Sequence, residues 1–453
     1  MKTVFRLTVT AVLCACAASG WAQDAAPDLQ EPITLDQALE IAFRYNPNIR
    51  IAVDQVQRAR GVVAEANANF MPKFNAEVVH IRQGPPISFT EPSVGTIDIV
   101  PGQNTMADAG VFLPIDISRK LGYTSDISKL QFQIDYLGLV AAAENLIFEV
   151  KGGYFQVLRA VGQQGVAQSA VDVAKRRLKD TQARFRAGAV AKFDVTRAEV
   201  DVANLNQILI QARTQVLKAT TLFNSILGID VNTPTRLVDT EIVVRDVPVD
   251  VPQRIGEAYA QRSEVKSADI SIDLNKRNVR LQRTGILPSL GAAGIYNYDF
   301  GGSGFSSANE SWSATLNLQI PIWDGGITKA KVEQAHADVQ KSKDTLDQVK
   351  LRVGRQVRVA ALNLEEAMER TRTTAEGVEL AEETLRLATV RYDAGIAILV
   401  EVTDAESALT EAKFNLVQAQ YDYALAVAEL ERATAAQPEI DKVQIIAAGL
   451  MRS

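Results

Sequence analysis

Few side chains in this 453-residue sequence could do covalent or acid–base chemistry. The two histidines, His80 and His336, lie far apart, and both cysteines, Cys14 and Cys16, sit in an apolar N-terminal stretch. There is no nucleophile elbow, phosphate loop or ligand-spaced carboxylate cluster, and Gly301-Gly-Ser-Gly304 reads as a strand turn with no helix start behind it. No enzyme activity, cofactor or metal is expected. Charge, by contrast, gathers at two short stretches of one design. Arg184-Phe-Arg-Ala-Gly188 with Val195-Thr-Arg-Ala-Glu199 matches Arg391-Tyr-Asp-Ala-Gly395 with Val402-Thr-Asp-Ala-Glu406, seven of sixteen positions being identical at an offset of 207. Glu401 and Asp404 follow the second glycine by six and nine residues. Carboxylates placed there suit the N-terminal end of a helix and are ordinary as solvated acids. Gathered around a narrow pore, the same carboxylates would draw cations and repel anions by focusing the field.

Long helices must position those stretches. Val402, Ala405, Leu409, Ala412, Leu416, Ala419, Tyr423, Ala426 and Leu430 recur at spacings of three and four, the period of helices packed along a seam. The stripe continues backwards through Tyr392, Ala388, Leu385, Ala381 and Val378, so Gly395 marks the turn of an antiparallel helical hairpin. The earlier copy runs Val171, Ala174, Leu178, Thr181 and Phe185 up to Gly188, then Val195, Ala198, Val202, Leu205, Leu209, Ala212, Val216, Ala219 and Phe223 away from it. No proline falls between Pro114 and Pro234 or between Pro321 and Pro438. Each blank holds one helix of about 70 residues, about 105 Å long, and one of about 35.

The rest of the chain is duplicated too. Leu35, Ala38, Leu39, Ala42, Ile49, Ala52, Val53 and Val56 mark an amphipathic helix with a Thr34/Gln37 capping box, interrupted at Asn46-Pro47 and ended by Phe70-Met-Pro72. Gln37, Ala42, Ile49, Ala52 and Pro72 recur as Gln253, Ala258, Val265, Ala268 and Pro288 at offset 216. After each proline the period falls to two. Trp312, Ala314, Leu316, Leu318 and Ile320 alternate with Ser313, Thr315, Asn317 and Gln319, and Leu290 to Phe300 supplies a partner strand. Weaker alternation at Phe74 to Ile81 and Ala107 to Ile115 gives the first-half pair, joined by an exposed loop, Gln83 to Asn104, with nine extra residues. The segment from Ile229 and the tail after Pro438 lack the seam and are expected to wrap the outside.

Lys2 and Arg6, the apolar run Leu7 to Ala18, and Gly20-Trp-Ala22 read as a secretory signal cleaved after Ala22. Cys16 offers a weak alternative as a lipidated residue. Without the signal the chain has no cysteine, hence no disulfide, and carries 46 basic against 54 acidic side chains, a net charge of −8. That gives no nucleic-acid footprint. No stretch after the signal has eighteen consecutive apolar residues, so no membrane-spanning helix is expected. The organisation read from the sequence is a signal at 1–22, a first repeat at 23–240 with its hairpin at about 74–115 and tip at 188, a second repeat at 241–437 with its hairpin at about 289–322 and tip at 395, and a tail at 438–453. Four strands cannot close a barrel, but three chains pooling strands would give twelve, apolar outside and polar inside.

On these residues the chain resembles the TolC-type outer-membrane efflux proteins over nearly all its length. The resemblance is carried by Leu35-x-x-Ala38 to Asn46-Pro47, Pro72 with Pro288, Pro321-Ile-Trp-Asp-Gly-Gly326, and the twin tips. It implies a mostly α, mixed α+β membrane protein: a homotrimer whose long coiled-coil helices form an α-barrel tunnel and whose strands form a twelve-stranded transmembrane β-barrel. It implies an exit duct in the outer membrane for efflux or type I secretion, in contact with lipid, a periplasmic adaptor and an inner-membrane pump of the RND or ABC class. Glu401 and Asp404 would then line the pore constriction, and Tyr392 with Asp194 would lock the entrance. Arg184, Gly188, Arg391 and Gly395 would face the adaptor. Ala397 stands where a basic residue often adds a further ionic link. An exported coiled-coil protein without a pore would explain the seams but not the alternating strands.

Overall fold

The computed structural model describes residues 31–85, 87–93, 95–100, 103–239, 242–245, 250–300 and 309–436. The signal with Cys14 and Cys16, and the tail from 438, lie outside the described residues.

Helix α1 (Leu35–Tyr45) opens on Thr34, whose hydroxyl accepts from Gln37 N–H while the Gln37 amide oxygen accepts from Thr34 N–H at 2.8 Å. Asn46 breaks the run and caps α2 (Pro47–Ala68), where proline at the first position costs no helical hydrogen bond. The second half repeats the corner as α5 (Val251–Gln261), capped by Asp250, and α6 (Ser263–Arg283). Four strands follow the helix ends: β1 (Lys73–Arg82), β4 (Gln103–Ile115), β5 (Ser289–Asp299) and β6 (Glu310–Gln319), antiparallel in the order β1-β4-β5-β6. Within the stretch expected to be an exposed loop, β2 (Ile87–Glu91) and β3 (Gly95–Val100) form a separate two-stranded hairpin. The alternation there is too short to separate from loop composition.

A turn held by an aspartate leads from strand to long helix in each half. Asp116 accepts from Leu121 and Gly122 N–H, at 3.2 and 2.8 Å, at the start of α3 (Lys120–Arg186). Asp324 accepts from Gly326 and Thr328 N–H, at 3.0 and 2.8 Å, at the start of α7 (Ile327–Asp393). Each long helix has 67 residues, about 100 Å, and each returns as a 36-residue helix, α4 (Lys192–Leu227) or α8 (Leu399–Thr434). Ala198, Leu209, Ala219 and Phe223 on α4 and Val402, Ala405, Ala419, Tyr423 and Ala426 on α8 are buried, as the seam requires. Phe185 departs from it and points into solvent, because the hairpin is already turning there.

The largest core lies at the first corner, where α1 and α2 pack on α3 and α4 around Phe43, Ile147, Tyr154 and Phe223. A smaller one joins α5, α6, α7 and α8 around Ala258, Val353 and Val357. The connection after α4 is strapped over the first core: Ile33 bridges to Leu237, and the Tyr154 hydroxyl donates to Val238 O at 2.6 Å.

The sheet's two faces differ in kind. Phe74, Ala76 and Val78 share one face with Ala107, Ala109, Val111, Leu290, Ala292, Tyr296, Tyr298, Trp312, Leu316 and Leu318. On that face Phe74, Val78, Trp312 and Leu316 are 70–81 % exposed in the single chain. The opposite face carries Asn75, Glu77, Asp108, Asn297, Ser311, Ser313, Thr315 and Asn317, interspersed with apolar residues that include Val79, Ile81, Met106, Phe112, Pro114 and Ile295. Both edges, β1 and β6, are unpaired on their outer side among the described residues.

Candidate functional site: the paired helical tips

The two hairpin tips are turned by the same backbone device. Gly188 and Gly395 take φ of +77° and +72°, a region in which a Cβ is disfavoured, and a Cβ built at either would meet no non-neighbouring atom of the described residues within 4 Å, so size alone would not exclude a side chain. Ala189 N–H reaches Arg184 O, and Ile396 N–H reaches Arg391 O, both at 2.9 Å. The glycines are therefore explained by the turn itself.

Side chains then join one tip to the other. Arg184 on α3 donates through Nη2 to Asp393 Oδ1 at 3.0 Å on α7, and through Nε to Asp180 Oδ2 at 2.9 Å on its own helix. Its guanidinium also lies 5.1 Å from the centre of the Tyr392 ring. The Asp393 hydrogen bond, followed by Asp180, drives the Arg184 pKa upward, so this cation is fixed in charge. One layer further in, Arg177 of α3 pairs with Glu406 of α8. Burial pushes the Arg177 pKa down, and Asp201 and Tyr392 oppose that. Each exposed pair is worth about 0.5–1 kcal/mol at most, but three groups sharing Arg184 make a clamp rather than a single bridge.

The residues expected from the sequence fall as follows. Tyr392 and Asp194 do not meet: Asp194 accepts from Ala191 N–H at 3.2 Å, holding the first turn of its own α4, while the Tyr392 ring faces Arg184. Short reach explains the difference, since an aspartate at the start of a helix finds its nearest donor in the backbone beside it. Glu401 is paired with Arg391, Nη1 to Oε2 at 3.1 Å, and Asp404 is exposed one turn along the same side of α8. Thus Arg184 and Arg391 both serve as ion-pair donors within the chain.

Asp393, Asp180, Arg177 and Glu406 were not singled out in the sequence. Only Asp393 carried a signal, the charge change between the aligned positions Arg186 and Asp393, which counting identities passes over; Glu406 aligns with an identical Glu199, and Arg177 and Asp180 align with the uncharged Thr384 and Leu387. Between the two hairpins, behind the clamp, lies a cavity of about 580 Å³ lined by Ala174, Arg177, Asp201, Leu205, Glu406 and Thr410 among others.

Among the described residues no helix is long and apolar enough to cross a membrane. The broad outward apolar band belongs to the sheet. Across residues 38–228 and 255–436 the sequence matches the outer membrane efflux protein family. The chain belongs to that family. It is 24% identical over 452 residues to the outer membrane protein TolC of Vibrio cholerae, an alignment covering 98% of each chain. In structure it superposes on the Campylobacter jejuni CmeC outer membrane channel with a TM-score of 0.77, at 16% identity over 91% of this chain and 89% of that one. On Vibrio cholerae VceC the TM-score is 0.74, at 17% identity over 88% and 95%. As a member of the family the protein is an outer-membrane efflux protein. Its relatives and structural neighbours are channel proteins.

Proposed function

We propose that three copies of this chain join edge to edge, β6 of one against β1 of the next, closing a twelve-stranded barrel continued by a helical tunnel. The observation that carries this is the four-stranded sheet itself. Its apolar face is bare in the single chain, and both its edges hold unpaired backbone groups. Hydrocarbon offers such edges no hydrogen bonds, so the sheet is stable in a bilayer only if the ring closes. Tyr296, Tyr298, Phe300 and Trp312 cluster at one end of the sheet, and Phe74 and Trp323 lie exposed near the other, as two interfacial girdles would.

In this reading the tips form the periplasmic entrance. Three copies of Glu401 and Asp404 line its narrowest ring and favour cations. Arg391 neutralises part of the Glu401 charge, so Asp404 carries the larger share. The entrance is held by the Arg184–Asp393 contact stacked on Tyr392, in place of a Tyr392–Asp194 bond. A periplasmic adaptor meets the turns at Gly188 and Gly395, and an inner-membrane RND or ABC pump supplies energy and selects cargo. The chain catalyses nothing.

The test is assembly with conduction. Purified protein should run as a trimer on gels before heating and as a monomer after, and should form cation-selective channels in planar bilayers. A product that stays monomeric, or trimers that never conduct, would overturn the reading.

A further inference from the structure

Basic side chains gather at one corner of the second half, and the channel function does not use them. Arg262 stands between α5 and α6, Arg355 on α7 and Arg432 on α8. All three line one concavity of about 280 Å³, together with Gln356, Val359 and Glu429. The aligned positions of the first half, Asn46, Phe148 and Ser225, carry no charge. There the corner is tied by neutral bonds, Asn46 Nδ2 donating to Ile226 O at 2.8 Å. The duplicated fold therefore does not itself require the arginines.

Acids do not match these cations. Arg262 is only 4 % exposed; it donates to Gln356 Oε1 at 2.6 Å and pairs with Glu264 at 3.2 Å, while its buried Nε has no hydrogen-bond partner. Burial pushes the Arg262 pKa down, Glu264 and Glu144 oppose that, and Arg432 and Arg352 add to it. Arg355 is exposed and makes no ion pair among the described residues. Arg432 makes none there either, its guanidinium lying 5.0 Å from the centre of the Phe148 ring. Among the described residues one acid lines the concavity, Glu429, and it accepts from Asn363 Nδ2 at 3.1 Å. Cations held together in this way repel one another, and an anion placed among them is attracted to each.

We propose that this concavity binds a small oxyanion of the phosphate class, held by Arg355 and Arg432 beside the buried charge of Arg262. Arginine suits that ligand, because its planar fork of N–H donors meets two phosphate oxygens at once. The volume has room for the anion with several waters, at about 30 Å³ each. A lipid headgroup offers the same chemistry but lies too far away. Arg355 stands 28 residues beyond Ile327 on α7, about 42 Å from the end of the helix that meets the sheet. Headgroups occupy a layer of only about 5–8 Å on each side of a bilayer. The anion joins α7 and α8 to the α5–α6 corner, the task that Asn46 performs in the first half.

The test titrates inorganic phosphate into the full-length detergent-purified protein at constant ionic strength, with chloride making up the balance. Thermal midpoint and the phosphorus NMR linewidth are the two readouts. Wild type should show a saturable rise in midpoint and a broadened phosphorus line at millimolar phosphate. R355Q and R432Q should each need about tenfold more phosphate, the scale of losing a charge-assisted contact, and R355E should show neither effect. R372Q, which changes an exposed arginine of the same helix outside the concavity, should titrate as wild type does. Without phosphate, R355Q should be no less stable than wild type, since it relieves repulsion, and saturating phosphate should reverse that order. An equal rise in wild type and R355E is general exclusion of the ion from protein surface and overturns the proposal. So does a wild type that phosphate leaves unmoved, or an R372Q that weakens as much as R355Q. Phosphatidylglycerol added to the detergent in place of phosphate should not separate wild type from R355E. Lipid that separates them where phosphate does not would overturn the assignment to a free anion.

Discussion

The tips at Gly188 and Gly395 share a backbone down to single hydrogen bonds, yet they carry opposite charge. Residues 184–199 hold four basic and two acidic side chains, a net of +2, whereas residues 391–406 hold one basic and four acidic, a net of −3. Two identical tips lying side by side in one chain would repel. Divergence to opposite sign turns that contact into attraction, and the contact observed, Arg184 to Asp393, uses a position where the first half has Arg186. The turn could not diverge, because its φ is fixed by geometry. The charges could, because each tip needed only to suit its neighbour. The helix ends opposite the tips repeat the lesson: Gly228 and Ala435 keep one left-handed conformation, but the first half has glycine there, packed against the backbone of Tyr45 and Asn46, and the second has alanine.

That contrast gives the largest expected effect. A Cβ on Gly228 would lie 2.5 Å from the Tyr45 carbonyl oxygen, in a left-handed residue besides. Gly228→Ala should cost about 3 kcal/mol or more and lower the thermal midpoint and trimer yield sharply. The mirror change, Ala435→Gly, should stabilise by about 0.5–1 kcal/mol by relieving a left-handed alanine. If the two variants behave alike, the helix ends are not equivalent in the way the repeat implies.

Breaking the clamp comes next. Arg184→Ala removes the Asp393 and Asp180 bonds and the ring contact together, a change of about 1–2 kcal/mol for a partly exposed cluster. The open fraction of single channels in planar bilayers should rise by about tenfold. Reversing the pair, Arg184→Asp with Asp393→Arg, should return it toward wild type. Unchanged gating in the single variant would show that the charge difference between the tips has no part in closure.

At the ring, Asp404→Ala should shift the reversal potential in a salt gradient more than Glu401→Ala, since Glu401 is already paired with Arg391. The double variant should lose most cation selectivity and most block by multivalent cations. Arg391→Ala, which frees Glu401, should raise selectivity. Equal shifts from the two single variants would mean that the Arg391 contact is broken in the assembled channel.

Tyr392 separates two accounts of the lock. Tyr392→Phe keeps the ring under Arg184 and should leave conductance unchanged, while Tyr392→Ala should weaken closure by about 0.5–1 kcal/mol. Asp194→Ala should destabilise the start of α4 by about 1 kcal/mol, seen as faster proteolysis near Lys192, because the residue caps its own helix. A large rise in conductance from Tyr392→Phe alone would restore the direct Tyr392–Asp194 link.

Periodicity made much of this legible before any coordinates. The seam from Val402 to Leu430, the capping box at Thr34, the Asn46-Pro47 break and the strand alternation around Trp312 are each local patterns with one physical cause, and each element stands where its pattern put it. The β2–β3 hairpin was hidden because five- and six-residue strands in a glycine- and proline-rich stretch carry too few alternations. The partners of the tip residues were hidden for another reason. Arg184 meeting Asp393, or Arg177 meeting Glu406, depends on how two hairpins are rotated about their axes, and no repeat within either hairpin encodes that angle. For Asp393 the charge difference from the aligned Arg186 was the available clue, and it names the sign of the contact without naming the pair; Glu406, aligned with an identical Glu199, offered none.

The smallest effect concerns the twin aspartates that start the long helices. Asp324 is held below the usual aspartate range by the Thr328 hydroxyl and N–H, with Gly326 N–H adding to them. For a carboxyl depressed by folding, the sign is fixed: its contribution is present above the unfolded value and is lost as pH falls through the folded one. Asp324→Asn keeps an acceptor but not the charge, so its deficit against wild type should be present at pH 5 and shrink as the pH drops below about 3.8, the unperturbed value for aspartate. The measurement is the difference in thermal midpoint between the two proteins, which cancels the many carboxylates they share. Asp116 makes the corresponding bonds to Leu121 and Gly122, so Asp116→Asn tested beside it asks whether the two halves start their helices on equal terms. A deficit for Asp324→Asn that stays constant from pH 5 to pH 3 would assign the cap to hydrogen-bond geometry alone, and the depressed carboxyl would then have no part in it.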